Sequence, residues 1–345
     1  MEPQGGSGEN RGKILNPPQT KSCKRKTRRG ISKRKNKNLG FTIIGTNSNG
    51  LSGKVDSLYN TVKHFKPSCI TIQETKLRSK KFEIPGYQVF LKNRPGLGGG
   101  LLTAVEENLA PVLVSSPDTE ILVIQTRVGS EDIRIINGYG PQEDANFQDI
   151  YNFWQDMDKE IISAKEQNCK IIIQLDANAK LGKDILPADP NDISGNGKIL
   201  LEMVERHNLC ILNTEEQCKG GITRHRNTVR GLEISVLDYI IVCQEMKISF
   251  QEMIIDEDRT HVLTKYASTK GREIKSESDH NILYGRFNIS YRKIKCTSKR
   301  EIFNFKNLEC QTTFFEVTNN STKLSQCFVK DGNNFENNQV SFLKF

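Results

Sequence analysis

The chain has 345 residues, 36% hydrophobic and 26% charged, with 50 Lys+Arg against 41 Asp+Glu and a formal net charge of +9. No run approaches the ~18–20 continuous apolar residues of a membrane span, and no apolar run follows Met1, so neither a membrane partner nor a secretory leader is expected. Nine cysteines, odd in number and without a C-x-x-C pair, argue against a disulfide framework or a zinc ribbon, while the positive balance points to an anionic partner.

Residues 1–38 read as a disordered basic tail. Their block Lys21, Lys24, Arg25, Lys26, Arg28, Arg29, Lys33, Arg34, Lys35 and Lys37 contains no acid and almost nothing apolar. Like charges at that density repel and leave no core to offset ordering. Such a block serves nuclear import, nucleic-acid binding or both, so the expected localisation is the nucleus. Strands are then predicted at Phe41–Thr46 and Ser68–Gln73, around a helix over Lys54–Lys66 whose Val55, Leu58, Val62 and Phe65 share a face and which Pro67 stops. Further strands follow at Gln88–Lys92, Gly100–Val105, Ile121–Val128 and Ile133–Tyr139. Phe147–Lys165 reads as a helix, with Phe147, Ile150, Trp154, Met157 and Ile161 in phase. Lys170–Leu175 is a continuous apolar strand and Lys198–His207 a helix. Strand signals near Leu209–Leu212, Ile222–His225, Val236–Val242 and Ile282–Ile289 complete an α/β pattern with mixed sheets. Past about Tyr291 the pattern weakens, so 39–291 reads as one domain and 292–345 as a linker-like segment, partly helical or disordered.

The apolar strands repeatedly end in polar residues, and ligands of α/β folds collect at strand ends. Glu74 and Asp279 are hard oxygen ligands suited to Mg²⁺, and Asn49 can complete that shell. His280 suits proton transfer or charge stabilisation, with Asp238 the candidate to orient its ring. Asp176 and Asn178 lie two residues apart at a strand end and can position a water, while Asn47 and Tyr139 can donate to a phosphate. A Ser-centred nucleophile elbow and a G-x-x-x-x-G-K-[ST] loop are both absent from the sequence. Metal-assisted phosphodiester hydrolysis is therefore favoured over acyl transfer or nucleoside-triphosphate hydrolysis. Each residue alone has an ordinary structural reading, such as an Asx turn or an edge ion pair; the ordered set shifts the balance.

Six segments carry that set: T-N-S-N-G-L (46–51), Q-E-T-K (73–76), N-G-Y-G-P (137–141), L-D-A-N-A-K-L-G (175–182), S-V-L-D-Y (235–239) and S-D-H-N (278–281). In this order they resemble the endonuclease/exonuclease/phosphatase superfamily, specifically the apurinic-endonuclease-like domain of LINE-type (non-LTR) retrotransposons. The resemblance implies a four-layer α/β sandwich, with two mixed β-sheets face to face and helices outside. It implies a Mg²⁺-dependent endonuclease, with Mn²⁺ as a substitute ion, that nicks one strand of double-stranded DNA and leaves a 3′-hydroxyl. Glu74 would hold the metal with Asn49 and Asp279 nearby, and Asn47, Tyr139 and Asn178 would contact the scissile phosphate. Asp176 would orient or deprotonate the water, and His280, held by Asp238, would stabilise the pentacovalent state or take the proton; either can be the base.

Thr223 and Ser235 match positions near the phosphate. Two departures stand out: Leu175 replaces the usual glycine, and Arg224 replaces a frequent aromatic. The segment 223–231, with Arg224, Arg226 and Arg230, would reach DNA as a basic hairpin. Lys265, Lys270, Arg272 and Lys275 are either further phosphate contacts or a solvated face. A monomer is expected, with element RNA or a reverse-transcriptase domain outside this chain as further partners. The competing readings are an abasic-site endonuclease or other phosphoesterase of the superfamily, and a catalytically decayed nucleic-acid binder.

Overall fold

The computed structural model describes residues 39–291 apart from Lys80, Pro95, Leu97, Lys270 and Gly271; the basic-tail and linker expectations lie outside the described residues. In chain order the elements open with β1 (Leu39–Asn47), α1 (Val55–Phe65), β2 (Cys69–Gln73), β3 (Tyr87–Lys92) and β4 (Leu101–Glu106). Next come β5 (Val112–Ser115), β6 (Ile121–Val128), β7 (Glu131–Tyr139), α2 (Phe147–Glu166), β8 (Lys170–Asp176) and α3 (Gly195–Arg206). The chain continues through β9 (Leu209–Ile211), β10 (Cys218–Lys219), β11 (Arg224–Thr228), β12 (Gly231–Ser235), β13 (Asp238–Cys243) and α4 (Gln244–Ser249). It closes with β14 (Phe250–Ile255), β15 (Thr264–Thr269), β16 (Arg272–Glu277) and β17 (Leu283–Tyr291).

Seven strands form one mixed sheet in the order β10-β14-β17-β1-β2-β4-β3, and six form a second in the order β5-β6-β7-β8-β13-β9. β1 runs parallel to β2, and β7 runs parallel to β8. Strand alternation sorts the first sheet's side chains between two cores. Phe41, Ile43, Cys69, Leu101 and Val105 pack with the second sheet. Ile44, Ile70, Ile72, Leu102 and Ala104 pack with Leu51 and with Leu58 of α1. The second sheet is covered in turn by Trp154, Met157 and Ile161 of α2 and Leu200 and Met203 of α3. The result is the four-layer α/β sandwich that the family resemblance implied. Among the described residues no helix is long and apolar enough to cross a membrane.

The helix stops follow local chemistry. α1 ends at Lys66 in the left-handed region (φ 49°), just before Pro67. α3 begins three residues earlier than its apolar pattern indicates, because the Ser194 hydroxyl accepts from Gly197 N–H at 3.1 Å and caps it. Phe147 does not join the buried stripe of α2; it is 78% exposed, and burial on that helix starts with Phe153. The edge strand β5, the short β10, β12, the α4–β14 pair and the β15–β16 hairpin are additions to the predicted set.

A Cβ at Gly197 would lie 2.0 Å from the Lys180 carbonyl oxygen, so the first turn of α3 rests on the loop after β8 only because a side chain is lacking there. Gly197→Ala is expected to cost about 1–3 kcal/mol and lower the Tm by several degrees, read by thermal denaturation.

Candidate active site

The second sheet delivers two carboxylates side by side. Asp176 closes β8, Asp238 opens β13, and the antiparallel register sets them directly opposite each other. Asp238 is thus the first residue of its strand rather than an interior one. β7 ends beside them at Tyr139, paired with Asp176 in parallel register. Gly140 turns the chain so closely past β8 that a Cβ there would lie 2.5 Å from the Ala177 carbonyl oxygen.

The first sheet supplies the facing wall. The loops leaving β1 and β2 are joined by main-chain bonds from Ser48 N–H to Gln73 O (2.9 Å) and from Gly50 N–H to Glu74 O (2.7 Å). Asn49, Glu74 and Asn178 all take left-handed backbone (φ 44°, 47° and 46°). Asparagine tolerates that region, but for glutamate it stores local strain, as loops that aim side chains often do.

These loops meet in a cavity of about 310 Å³ lined by Asn47, Asn49, Glu74, Tyr139, Asp176, Asn178, Lys180, Arg224, Arg226, Asp279 and His280 among others. His280 Nδ1 lies 2.8 Å from Asp238 Oδ2, and its Nε2 lies 3.9 Å from Asp176 Oδ2. Asn47 Nδ2 donates to Asp176 Oδ2 at 2.8 Å and to Glu74 Oε1 at 3.3 Å. Tyr139 donates its hydroxyl proton to Glu74 Oε1. Asn49 donates to Asp279 Oδ1 at 3.2 Å, and Arg224 Nε donates to Asp279 Oδ2 at 2.9 Å. The Ser278 hydroxyl donates to the Asn47 carbonyl oxygen at 2.6 Å, tying the S-D-H-N segment to the end of β1.

The electrostatics follow from burial and neighbours. Burial lowers the proton affinity of His280, but Asp238 and Asp176 outweigh it and push the imidazole up to about 9. Burial, then the charge of Asp238, pushes the Asp176 carboxyl well above the usual carboxylate range. Burial also pushes Glu74 up, yet hydrogen bonds from Tyr139 and Lys76 hold it below that range. Asp279 is likewise held low, against its burial, by the charge of His280 and the bond from Arg224.

Two groupings offer metal-capable atoms. In Asp176, Asp238 and His280 these atoms lie within 4.8 Å of one another, but the His280–Asp238 bond and the imidazole's raised proton affinity make that trio a proton-holding network. The other surrounds Lys76, whose Nζ sits 2.9 Å from Glu74 Oε2 and 2.6 Å from Asn49 Oδ1. An ammonium seated between two oxygen donors marks a cation position. The hard oxygens of Glu74 and Asn49 fit Mg²⁺ there, and Asp279, joined to Asn49 at 3.2 Å, adds a carboxylate beside them.

The remaining expected residues fall at the root and along the arm of the β11–β12 ribbon. Thr223 and Ser235 are buried at its root, and the Thr223 hydroxyl accepts from Leu237 N–H (2.9 Å) and Asp238 N–H (3.1 Å) instead of lining the cavity. Thr223→Val orphans both amides and is expected to cost about 1–3 kcal/mol; chemical denaturation would measure it. Arg226 is exposed and lines the cavity, and Arg230 is exposed at the hairpin turn. Sequence reasoning assigned no role to Lys76 or Arg259. Arg259 donates to Asn281 Oδ1 (3.0 Å) and Ser278 O (2.5 Å), clamping the segment that carries Asp279 and His280. Lys76 lies inside a quoted motif, whereas Arg259 has no local signal.

This site sits on the endonuclease/exonuclease/phosphatase fold. The endonuclease domain of TRAS1, a telomere-specific non-LTR retrotransposon, is similar at 18% identity and a TM-score of 0.51, over 72% of this chain and 98% of that one. The 3′ phosphatase NExo from Neisseria, bound to a product DNA hairpin, matches at 16% identity and a TM-score of 0.54, over 72% and 99%. The AP endonuclease LMAP from Leishmania major matches at 16% identity and a TM-score of 0.55, over 72% and 88%. At these identities the likeness establishes the fold. No protein-family model and no curated protein matches the sequence.

Proposed function

We propose that the chain is a metal-dependent hydrolase of DNA phosphodiester bonds: an endonuclease of the LINE-retrotransposon type that nicks one strand, acts in the nucleus, uses Mg²⁺ and accepts Mn²⁺. The observation that carries this reading is the single cavity where His280, backed by Asp238, faces Asp176 while Asn47, Tyr139 and Asn178 surround the same space. The nuclease and phosphatase neighbours, one of them bound to DNA, support the same reaction class.

Glu74, Asn49 and Asp279 would hold the ion, which when bound neutralises charge on the phosphate. Asp176, a stronger base than an ordinary carboxylate because burial raises its proton affinity, takes a proton from the attacking water. The water oxygen bonds to phosphorus as the bond to the 3′ oxygen breaks. That oxygen leaves as an alkoxide and takes a proton from solvent water to become the 3′-hydroxyl, while the 5′ side keeps the phosphate. His280 stays protonated at neutral pH and donates from Nε2 to the crowded phosphoryl oxygens, while Asp238 accepts from Nδ1 and fixes the orientation of the ring. Asn47 and Asn178 orient the phosphate, and Arg226 and Arg230 meet the duplex backbone beyond it.

A supercoiled plasmid incubated with purified protein, in Mg²⁺ and separately in EDTA, tests the proposal. Conversion to the nicked circle in Mg²⁺ alone is expected. Salt-dependent binding without nicking would favour the decayed binder. Cutting confined to an abasic duplex would favour the repair enzyme.

A further inference from the structure

The β15–β16 hairpin, residues 264–277, has no part in the chemistry described so far. It forms a two-stranded sheet of its own, with registers from Thr264↔Glu277 to Thr269↔Arg272. A lone ribbon is marginal in water, so its root must be held. Thr264 N–H donates to the Ser57 hydroxyl at 3.1 Å and Ser278 N–H to Leu263 O at 2.8 Å, while Arg259 reaches Glu277 at 3.5 Å. The arm beyond that root is polar and basic. Its sequence holds Lys265, Lys270, Arg272 and Lys275 against Glu273 and Glu277. Tyr266 is 72% exposed and pairs across the ribbon with Lys275, itself exposed and bonded to Glu277. Lys265 lays its stem on the loop between β1 and α1, where a Cβ at Gly53 would lie 2.9 Å from its Cδ.

Placement gives this charge a direction. β16 runs straight into Ser278-Asp279-His280. The other ribbon docks on that same segment from its opposite side: His225 N–H donates to Asp279 O at 2.8 Å, Asn281 N–H donates to Thr223 O at 2.7 Å, and Arg224 bridges to His280. Two basic ribbons therefore diverge from the segment that carries Asp279 and His280. A polyanion passing over His280 meets one on each side, and a two-stranded ribbon is narrow enough to follow a DNA groove.

We infer that the β15–β16 ribbon is a second DNA arm, in which Lys265, Tyr266 and Lys275 grip the duplex backbone on the side of the scissile phosphate opposite the β11–β12 ribbon. The inference deepens the endonuclease reading and rests on it. These contacts reach phosphates rather than base edges, so the arm adds affinity and fixes register without reading sequence.

The test is duplex binding by fluorescence anisotropy in EDTA across a salt series, with hydroxyl-radical footprinting, on wild type, Lys265→Ala/Lys275→Ala and Tyr266→Ala. Melting curves confirm that each variant folds. Each lysine lost is expected to lower the slope of log affinity against log salt by about 1. Protection should shorten on one side of the cut only. Wild-type slope and footprint in the folded double variant would overturn the arm. A wild type that binds the duplex through this ribbon but never nicks with Mg²⁺ would overturn the endonuclease reading and leave the arm standing. A wild type that does not bind the duplex would overturn both.

Discussion

His280→Ala is expected to lower plasmid nicking by at least about 10²-fold while the chain still folds and the affinity for duplex in EDTA stays close to wild type; the melting temperature falls, because a buried charge partner is lost. The imidazole is the one group placed between both buried carboxylates, 2.8 Å from Asp238 and 3.9 Å from Asp176. Its removal takes away the donor to the phosphoryl oxygens and leaves Asp176 beside Asp238 without a neutralising charge. The His280→Asn variant separates these effects, since an amide can donate but cannot carry the charge; partial recovery is expected there. Nicking at the wild-type rate in both variants would remove His280 from the chemistry.

Glu74→Gln is the second large effect, and it acts on the cation. Glu74 is held ionised by Tyr139, Lys76 and Asn47, and it gives one carboxylate oxygen to the Lys76 ammonium. The substitution keeps the shape and removes the charge. Binding of Mg²⁺, followed by titration calorimetry, is expected to weaken at least about tenfold, and turnover to fall by about 10²-fold or more at fixed Mg²⁺. Unchanged Mg²⁺ binding would move the ion to the grouping of Asp176, Asp238 and His280.

What could be read from sequence follows from how local each cause is. Ile171–Leu175 is apolar apart from the buried Gln174 because β8 is covered on both faces, and such a run ending in Asp176 announces both strand and site. The strands Phe250–Ile255 and Val112–Ser115 were hidden for different reasons. β14 follows α4 without a breaker, so Met246, Ile248, Phe250 and Met253 blur two periods into one. β5 is four residues long and leaves Val112 and Leu113 more than half exposed at a sheet edge. The β15–β16 ribbon has no buried face to impose alternation on its outer residues. At the site, the motif segments carried the residue types, but their meeting is long-range. Asn49 and Asp279 bond across 230 positions, a pairing only the two sheets make. The clamp of Arg259 on Ser278 and Asn281 has no spacing that could announce it.

The facing of Asp176 and Asp238 across β8 and β13 has a consequence for heat resistance. A carboxyl whose proton affinity is raised by folding favours the folded chain only while protonated. As the pH climbs from the ordinary aspartate range to the raised one, Asp176 loses its proton and progressively weakens the fold. An asparagine there escapes that loss and can still accept from Asn47. Asp176→Asn should therefore melt at a higher temperature than wild type at neutral pH and match it in acid, while nicking nothing. A screen of random variants for survival on heating would then enrich for dead enzyme at this position, and thermostable versions of this protein are better sought far from the strand ends where its two carboxylates oppose each other.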